Sequence, residues 1–296
     1  MDRKISVVIN TLNEEKNITR AIKSISWADE ILVCDMHSDD RTVEIAKKLG
    51  AKVVYHKKTS YVEPARNFVI SKASGDWILI LDPDEEVPET LSERFKQIAK
   101  TTKQIDYISI PRKNIIFNKW MKASMWWPDY QIRFFRKGKV EWSDKIHRPP
   151  KTWGEGLVLE EQARWAIIHY NYQTIDQFLN RMNRYTTIEA KDLKNSGYKF
   201  RWSDLIQKPL SEFLSRFFAN KGYHDGLHGL ALSLLQAFSL LVVYLKVWEA
   251  SGFNEQSLNL DEVEEEKRKS AYEINYWLKQ VNQSGNPFKK FLSKFS

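Results

Sequence analysis

The first hundred residues alternate short apolar runs with amphipathic segments, and this alternation limits the possible folds more than any other feature. The apolar runs predict four strands, in order Ile5–Ile9, Glu30–Cys34, Lys52–Tyr55 and Trp77–Leu81. The amphipathic segments predict four helices, in order Glu14–Ser24, Arg41–Leu49, Pro64–Ala73 and Pro88–Lys100. Strands that alternate with helices in this way form parallel βαβ units. We therefore expect an α/β fold with a doubly wound, mostly parallel sheet.

Polar side chains follow three of the predicted strands. The fourth strand runs directly into the acidic segment 82–86, and polar segments at 11–15 and 35–40 follow the first two strands. Ligands of parallel α/β sheets bind beyond the carboxyl ends of the strands, so these segments are expected to line one site. Residues two apart on an extended backbone point to the same side, so Asp82 and Asp84 are expected to face one ligand. Two such carboxylates suit a divalent metal, Mg²⁺ or Mn²⁺, that shares its remaining ligands with substrate phosphates.

Composition and charge indicate a reducing compartment and an anionic partner. The 296 residues are 42% hydrophobic, enough for a large core, and the single cysteine excludes an internal disulfide. The apolar run at the N-terminus is too short for a signal peptide, so we expect a cytoplasmic protein. Residues 101–150 hold 11 Lys and Arg against 4 Asp and Glu, together with four tryptophans. This block predicts contact with phosphate, a lipid headgroup or nucleic acid.

Two common nucleotide-binding motifs are absent from the sequence. No Gly-x-Gly-x-x-Gly follows the first strand, and no Gly-x-x-x-x-Gly-Lys-Ser/Thr occurs, which argues against dinucleotide dehydrogenases and P-loop ATPases. A diphosphate would then be held by a metal and by basic side chains. Two other classes stay open at this point: a nucleotidyltransferase on a related sheet, and a non-catalytic nucleic-acid-binding protein. A nucleotidyltransferase is expected to have a glycine-rich loop after the first strand, where this sequence has the polar segment 11–15 instead. A nucleic-acid-binding role leaves the acidic segments unexplained.

Four motifs, in the same order along the chain, resemble those of family-2 glycosyltransferases, which have the GT-A fold. They are Thr11-Leu12-Asn13-Glu14-Glu15, the Asp-x-x-Ser-x-Asp-x-Thr pattern at 35–42, Ala65-Arg66-Asn67 and Asp82-Pro83-Asp84. Within that family the chain looks most like the lipopolysaccharide-core β-glucosyltransferases, through 130–139, 145–147 and 169–170. The resemblance implies inverting transfer of a hexose from a nucleotide sugar, expected to be a UDP-sugar, to a lipid-anchored or lipopolysaccharide-core-type glycan.

The resemblance also implies roles for individual residues. The nucleotide-sugar-binding residues are expected to be Thr11, Asn13, Glu14, Asp35, Ser38, Arg66, Asp82, Arg133 and Arg136. Asp84 is the expected metal ligand, and Asp82 and His147 are further candidates. Asp129 stands where the family has an acidic Glu-Asp motif, although only one acid is present here, and is the expected general base. Glu155 is the alternative base.

The chain is expected to have three parts: a nucleotide-sugar-binding half at 1–100, an acceptor-binding half at 101–200 and a helical, membrane-associating region at 201–296. Residues 226–245 are uncharged and just long enough to span a bilayer. Their polar and small members favour a helix that lies on or dips into the bilayer over a true span or a soluble core helix. The basic, aromatic tail at 287–295 favours an anionic interface. The expected partners are therefore a nucleotide sugar, a membrane-anchored glycan and the anionic inner leaflet of the cell membrane, and no nucleic acid.

Overall fold

The computed structural model describes residues 3–59, 63–101, 104–143 and 149–283. The chain forms two compact units. The first consists of Met1–Ile115 and Pro128–Asn171, and the second of Ile116–Trp127 and Tyr172–Ser296. The three functional parts expected from the sequence stay a prediction.

The first hundred residues fold as the predicted βαβ units. Their strands are β1 (Ile5–Thr11), β2 (Glu30–Asp35), β3 (Lys52–Tyr55), β4 (Trp77–Ile80) and the short β5 (Glu85–Glu86). Their helices are α1 (Ile18–Ser24), α2 (Thr42–Lys48), α3 (Glu63–Lys72) and α4 (Glu89–Thr101). β1 pairs in parallel with β2 and β4, and β2 pairs in parallel with β3. The α/β class is therefore confirmed.

Helices cover both faces of this parallel sheet, which explains its continuous apolar strands. Val7 and Ile9 of β1 pack in a core cluster that includes the buried side chains of α1 and α4. Val8, which points to the other face, packs in a second cluster with Ala65 and Val69 of α3. All seven residues of β1 are buried as a result.

Later strands extend the sheet, mostly with antiparallel pairing, and add a small second sheet. They are β6 (Tyr107–Ile116), β7 (Lys119–Trp120), β8 (Asp129–Arg136), β9 (Val140–Glu141), β10 (Lys151–Thr152), β11 (Gly156–Val158) and β12 (Ile167–Tyr172). The main strand order is β3-β2-β1-β4-β8-β6-β12-β5, and β9 and β10 form a separate pair. β8 runs antiparallel to β4 and β6. The first residues of β8 therefore lie at the same edge of the sheet as the end of β4.

The second unit is mainly helical. Its helices are α5 (Ile175–Asn195), α6 (Asp204–Leu214), α7 (Leu227–Ala250) and α8 (Leu260–Gln283). α7 packs against α5 and α6. Within the described residues, α7 is the helix long and apolar enough to cross a membrane, with a mean hydropathy of 2.0. The predicted helix is thus present, whereas its contact with a membrane stays a prediction. The tail at 287–295 lies outside the described residues.

Candidate active site

Ser38 connects the loop after β1 to the loop after β2. Its Oγ accepts a hydrogen bond from the backbone N–H of Asn13 at 2.9 Å and donates one to Asp35 Oδ1 at 2.6 Å. Asp35 is fully buried and also accepts a hydrogen bond from Thr11 Oγ1 at 3.2 Å. Thr11, Asn13, Asp35 and Ser38 therefore meet at one edge of the sheet. Both hydrogen bonds of the Ser38 hydroxyl are made within the protein, so this geometry fits a residue that holds Asp35 in position.

The same sequence pattern fixes the next part of the β1 loop. Thr42 Oγ1 accepts a hydrogen bond from the backbone N–H of Glu14 at 2.7 Å, and Asp40 Oδ2 accepts one from Glu15 at 3.0 Å. Burial raises the pKa of Asp40, but hydrogen bonds from Thr42 and from backbone N–H groups lower it by more, so the carboxylate stays ionised. The carboxylate of Glu14 accepts a hydrogen bond from Asn17 at 2.8 Å. The two loops are thus locked to each other by side chains.

Asp82 and Asp84 lie in a tight turn and not on an extended strand. β4 ends at Ile80, and the backbone N–H of Glu85 donates to the carbonyl of Asp82 at 2.9 Å. With Pro83 in the second position, this is the geometry of a β-turn. The extended backbone from which both aspartates were expected to face one ligand is therefore absent, since the chain turns between them. Asp82 instead pairs with arginines, and Asp84 lies beside His169.

Asp82 forms ion pairs with two arginines. Its Oδ1 lies 3.3 Å from Arg66 Nη2, and its Oδ2 accepts a hydrogen bond from Arg133 Nη2. Burial raises the pKa of Asp82, but Arg133 and Arg66 lower it by more, and the net pKa lies well below the usual range. Arg133 is 3% exposed, and among the described residues its Nε and Nη1 have no hydrogen-bond partner. Buried N–H groups are normally paired, so these two suit an anion or an ordered water.

A third arginine, Arg112, links the turn to Asp129. Arg112 donates to Asp129 Oδ2 from Nη2 at 2.6 Å and from Nε at 2.9 Å, and its Nη1 lies 3.4 Å from Glu85 Oε1. Asn114 Nδ2 donates to the same Asp129 oxygen at 3.1 Å, and Gln131 Nε2 donates to Asp129 Oδ1 at 2.9 Å. Burial raises the pKa of Asp129, but Arg112 and these hydrogen bonds lower it by more. Asp129 is therefore an ionised carboxylate with a fixed orientation.

His169 lies beside Asp84, with its Nε2 3.7 Å from Asp84 Oδ2. Its other ring nitrogen, Nδ1, is 2.7 Å from Asn114 Oδ1. Because an amide oxygen only accepts, Nδ1 donates in this contact, which leaves Nε2 as the ring nitrogen that faces Asp84. Histidines that bind metals are commonly oriented by such a partner on the second nitrogen. The donor chemistry of Asp84 and His169 therefore fits a divalent cation.

This pair would not enclose a metal by itself. Among the described residues, no group of three or more His, Cys, Asp or Glu side chains is placed to hold a metal ion. A cation bound at Asp84 and His169 would take its remaining ligands from water and substrate, as Mg²⁺ commonly does. His147, a predicted ligand, lies outside the described residues. Both carboxylate oxygens of Asp82 already face arginines, which makes it the poorer candidate.

Two predicted site residues lie at the opposite edge of the sheet. Arg136 pairs with Trp77, the first residue of β4, and its Nε donates to the carbonyl of Ile105 at 2.7 Å. The backbone N–H of Glu155 donates to Asp106 Oδ2 at 3.1 Å, near the start of β6. The turn after β4 is at the other end of these strands. Arg136 is thus misplaced for a nucleotide-sugar contact, and Glu155 is misplaced for the general base.

Asn10 is a polar residue that the sequence analysis did not select. It is 4% exposed, and neither Nδ2 nor Oδ1 has a hydrogen-bond partner among the described residues. It pairs with Cys34 on β2, next in the chain to Asp35, so its amide is close to the same edge. An asparagine directly after the apolar run 5–9 was the available signal. Arg112, Asn114 and His169 gave a weaker signal, because their roles depend on pairing between distant strands.

Comparison with known proteins identifies the class to which this α/β sheet and its acidic, arginine-rich edge belong. The model of the family described as Glycosyl transferase family 2 matches residues 6–152. An uncharacterized glycosyltransferase of Rickettsia typhi is 31% identical over 261 residues, which cover 84% of this chain and 88% of that protein. The lipopolysaccharide core biosynthesis glycosyltransferase LpsC of Rhizobium meliloti is 23% identical, over 83% and 92% of the two chains. The chain therefore belongs to glycosyltransferase family 2.

Solved structures overlap with this fold to a limited extent. A mannosyltransferase of Pyrobaculum calidifontis aligns with a TM-score of 0.48 and 12% identity, over 99% of this chain and 84% of that one. Glucosyl-3-phosphoglycerate synthase of Mycobacterium tuberculosis aligns with a TM-score of 0.31 and 28% identity, over 38% and 43%. The family assignment selects the glycosyltransferase among the three classes that the residues alone left open.

Proposed function

We propose that this glycosyltransferase moves a hexose from a nucleotide sugar, expected to be a UDP-sugar, to a membrane-anchored glycan of the lipopolysaccharide-core type. The acceptor class is supported by the similarity to LpsC along most of both chains. The observation that carries the chemistry is the edge where Asp84, His169, Asp129 and Arg133 gather in one charged network. Such an edge offers groups for the leaving diphosphate and for the attacking hydroxyl.

The leaving diphosphate needs positive charge. A divalent metal, Mg²⁺ or Mn²⁺, bound at Asp84 and His169 would act as a Lewis acid on its oxygens. Arg133 supports the same group because two of its buried N–H donors have no partner among the described residues. A guanidinium held in place by Asp82 can donate to phosphate oxygens without reorientation. Asp82 therefore acts mainly by holding Arg133 and Arg66.

Asp129 is the proposed general base. The acceptor oxygen forms a bond to the anomeric carbon while the bond from that carbon to the diphosphate breaks, which inverts the configuration. The hydroxyl proton passes to Asp129, and the bonding electron pair leaves with the diphosphate. Asp129 is ionised because its pKa is lowered, and Arg112, Asn114 and Gln131 fix its orientation. A positioned base of this kind contributes about 10²- to 10⁴-fold to the rate.

The nucleoside is proposed to bind at the interlocked loops. Thr11 and Ser38 fix the orientation of the buried Asp35, the residue proposed for a base or ribose contact. Asn10 adds an amide whose donor and acceptor have no partner among the described residues. Discrimination between donors by such unpaired groups is strong, because a wrong ligand leaves them buried and unsatisfied.

A panel of donors tests this proposal. The full-length protein is incubated with UDP-glucose, UDP-galactose, UDP-N-acetylglucosamine or GDP-mannose, with Mg²⁺ or Mn²⁺ or with EDTA, and nucleoside diphosphate release is measured. We expect one UDP-sugar to be preferred, with release that EDTA abolishes and that a lipopolysaccharide-core acceptor increases. Release that EDTA does not change would contradict the requirement for a metal. A preference for GDP-mannose would contradict a UDP-sugar as the donor.

We also propose that the second unit attaches the enzyme to the cytoplasmic face of the membrane. Only 33% of an apolar 18-residue stretch of α7 is buried within the protein, which is low for the core helix of a soluble protein. Leu227, Leu234, Phe238 and Leu245 are exposed along α7 at spacings of seven, four and seven residues. This spacing places them on one face of the helix. An exposed apolar stripe on an uncharged segment favours burial at the bilayer boundary.

Charges placed in this stripe are expected to release the protein from membranes. The double variant Leu234→Glu/Phe238→Glu should lower binding to phosphatidylglycerol-containing vesicles at least about tenfold, because carboxylates replace buried apolar area. Tyr272→Glu, at a 74% exposed position on α8, is the matched control and should bind as the unmodified protein does. Co-sedimentation measures binding, and circular dichroism checks the helix content. Unchanged sedimentation of the folded double variant would rule out this surface.

A further inference from the structure

Asn114 is a buried polar residue on the middle one of three strands that carry the site. It lies on β6, which has β8 on one side and β12 on the other. Asp129 is on β8 and His169 is on β12, and all three residues belong to the first unit. Asn114 is therefore placed between the proposed base and the proposed metal ligand.

The side-chain amide of Asn114 contacts both of these neighbours. Its Nδ2 donates to Asp129 Oδ2 at 3.1 Å, and its Oδ1 lies 2.7 Å from His169 Nδ1. Asn114 is 0% exposed, so bulk water does not compete for either contact. A substitution that removes this amide would leave a polar group without its partner at each end, and such a loss is costly in a buried site.

The direction of the two hydrogen bonds follows from the chemistry of the three groups. The lowered pKa of Asp129 keeps it ionised, and an ionised carboxylate only accepts hydrogen bonds. The NH₂ group of Asn114 must therefore face Asp129, which turns the amide oxygen towards His169. That oxygen also only accepts, so His169 donates from Nδ1 and presents Nε2 to Asp84. The carboxylate of Asp129 thereby fixes, through one amide, the hydrogen-bonding role of His169.

We propose that Asn114 is a positioning residue that orients the base and the metal ligand together. It acts through Asp129 and His169, and the proposal rests on the proposed function, which gives these two residues their roles. Partners on the second ring nitrogen of a histidine change metal affinity about 10- to 100-fold. A reacting group displaced by about 1 Å loses about a hundredfold in rate. One side chain thus controls both the metal affinity and the rate.

Histidine NMR on the metal-free, full-length protein tests the contact with His169 without any turnover. Histidine labelled with ¹⁵N gives signals for the six histidines of the chain, and His169→Ala assigns the one of interest. We expect the Nδ1–H proton of His169 to exchange slowly with water and to be visible. Asn114→Leu should remove that signal, because leucine has no acceptor. Asn114→Asp should keep it, because a carboxylate oxygen accepts the same hydrogen bond.

Binding of Mn²⁺, followed by electron paramagnetic resonance, tests the metal side of the proposal. Asn114→Leu should raise the Kd for Mn²⁺ at least about tenfold, whereas Asn114→Asp should not raise it. Gln131→Leu is the matched control, because Gln131 also donates to Asp129, at 2.9 Å, but to the other oxygen. Its Kd for Mn²⁺ should equal that of the unmodified protein. In the His169→Ala background, Asn114→Leu should have no further effect, because Asn114 acts on the metal through that ring.

Turnover at saturating Mn²⁺ tests the base side. In Asn114→Asp two carboxylates face each other, and their repulsion displaces Asp129. Its kcat should therefore fall about a hundredfold while the KM for the donor stays unchanged. A low kcat beside a normal Mn²⁺ affinity is a split that a general loss of structure would not produce. Thermal unfolding of each variant is measured in parallel.

Other outcomes would overturn the proposal. Unchanged Mn²⁺ affinity in folded Asn114→Leu would exclude the metal side, and unchanged kcat in Asn114→Asp would exclude the base side. An equal loss of Mn²⁺ affinity in the His169→Ala background would give Asn114 a general structural role. If Asn114→Leu does not fold, Asn114→Asp decides, because loss of the His169 signal there also contradicts the proposal. An unmodified protein that neither binds Mn²⁺ nor turns over would reject the proposed function, whereas the histidine signal would still report on Asn114.

Discussion

Asp84→Asn is expected to lower metal-dependent release of nucleoside diphosphate by about a thousandfold or more, because the site would lose its proposed anionic metal ligand while the side chain keeps its size. The fold should be retained, since Asp84 lies in a turn after β4 and not in the core clusters. His169→Ala should leave the carboxylate in place but raise the metal concentration needed for half-maximal activity. Turnover, together with Mn²⁺ titration followed by electron paramagnetic resonance, measures both effects.

Glu93→Gln is the matched control for Asp84→Asn. Glu93 is an exposed carboxylate of α4 in the same unit, so its neutralisation changes the net charge equally without touching the site. Its activity and Mn²⁺ affinity should equal those of the unmodified protein. If Asp84→Asn kept full activity with an unchanged dependence on Mn²⁺, the metal assignment would be rejected.

Asp129→Asn is expected to lower kcat by about a thousandfold while UDP binds with unchanged affinity, because an amide cannot accept the hydroxyl proton. The variant leaves Arg112 with Glu85 as its remaining carboxylate partner among the described residues. Thermal unfolding must therefore be measured beside activity, since breaking this partly buried ion pair is destabilising. Loss of UDP binding in a folded variant would assign Asp129 a structural role, and normal kcat would exclude it as the base.

The pH dependence of the same residue gives a second test. The lowered pKa of Asp129 keeps it ionised, so any acid limb in kcat that belongs to it should lie below the ordinary aspartate pKa of about 3.9. Its contribution to stability has the same sign: it is present above the unfolded pKa and is lost as the pH falls through the folded pKa. Arg112→Gln removes the charge that lowers this pKa, so the acid limb should move towards neutral pH. An unmoved limb would show that Arg112 does not control the ionisation of Asp129.

The βαβ half of the first unit could be predicted from the sequence because its signals are local. Apolar runs, amphipathic periodicity and the glycine after α2 indicated strands β1 to β4 and helices α1 to α4 to within about four residues. The meeting of Thr11, Asn13, Asp35 and Ser38 followed from the parallel topology, since the carboxyl ends of neighbouring strands share an edge.

The other half of the site could not be predicted because it depends on pairing between distant strands. Both Arg133 and Arg136 were expected to bind the nucleotide sugar, and only the antiparallel register of β8 on β4 shows which of them reaches the turn. His169 reaches Asp84 because β12 pairs with β5, which was too short to recognise. The turn at Asp82 was missed because the strand, which ends at Ile80, was predicted to end at Leu81 and the backbone was expected to stay extended as far as Asp84.

The interlocked loops after β1 and β2 also bear on how the donor binds. The contacts that Ser38, Asp40 and Thr42 make to the β1 loop join groups of the protein to one another. The conformational entropy of these two loops is therefore lost during folding and not each time a nucleotide sugar binds. Donor association should then proceed without a slow ordering step on this side of the site. The lifetime of the complex would depend instead on how quickly the diphosphate leaves its cationic partners.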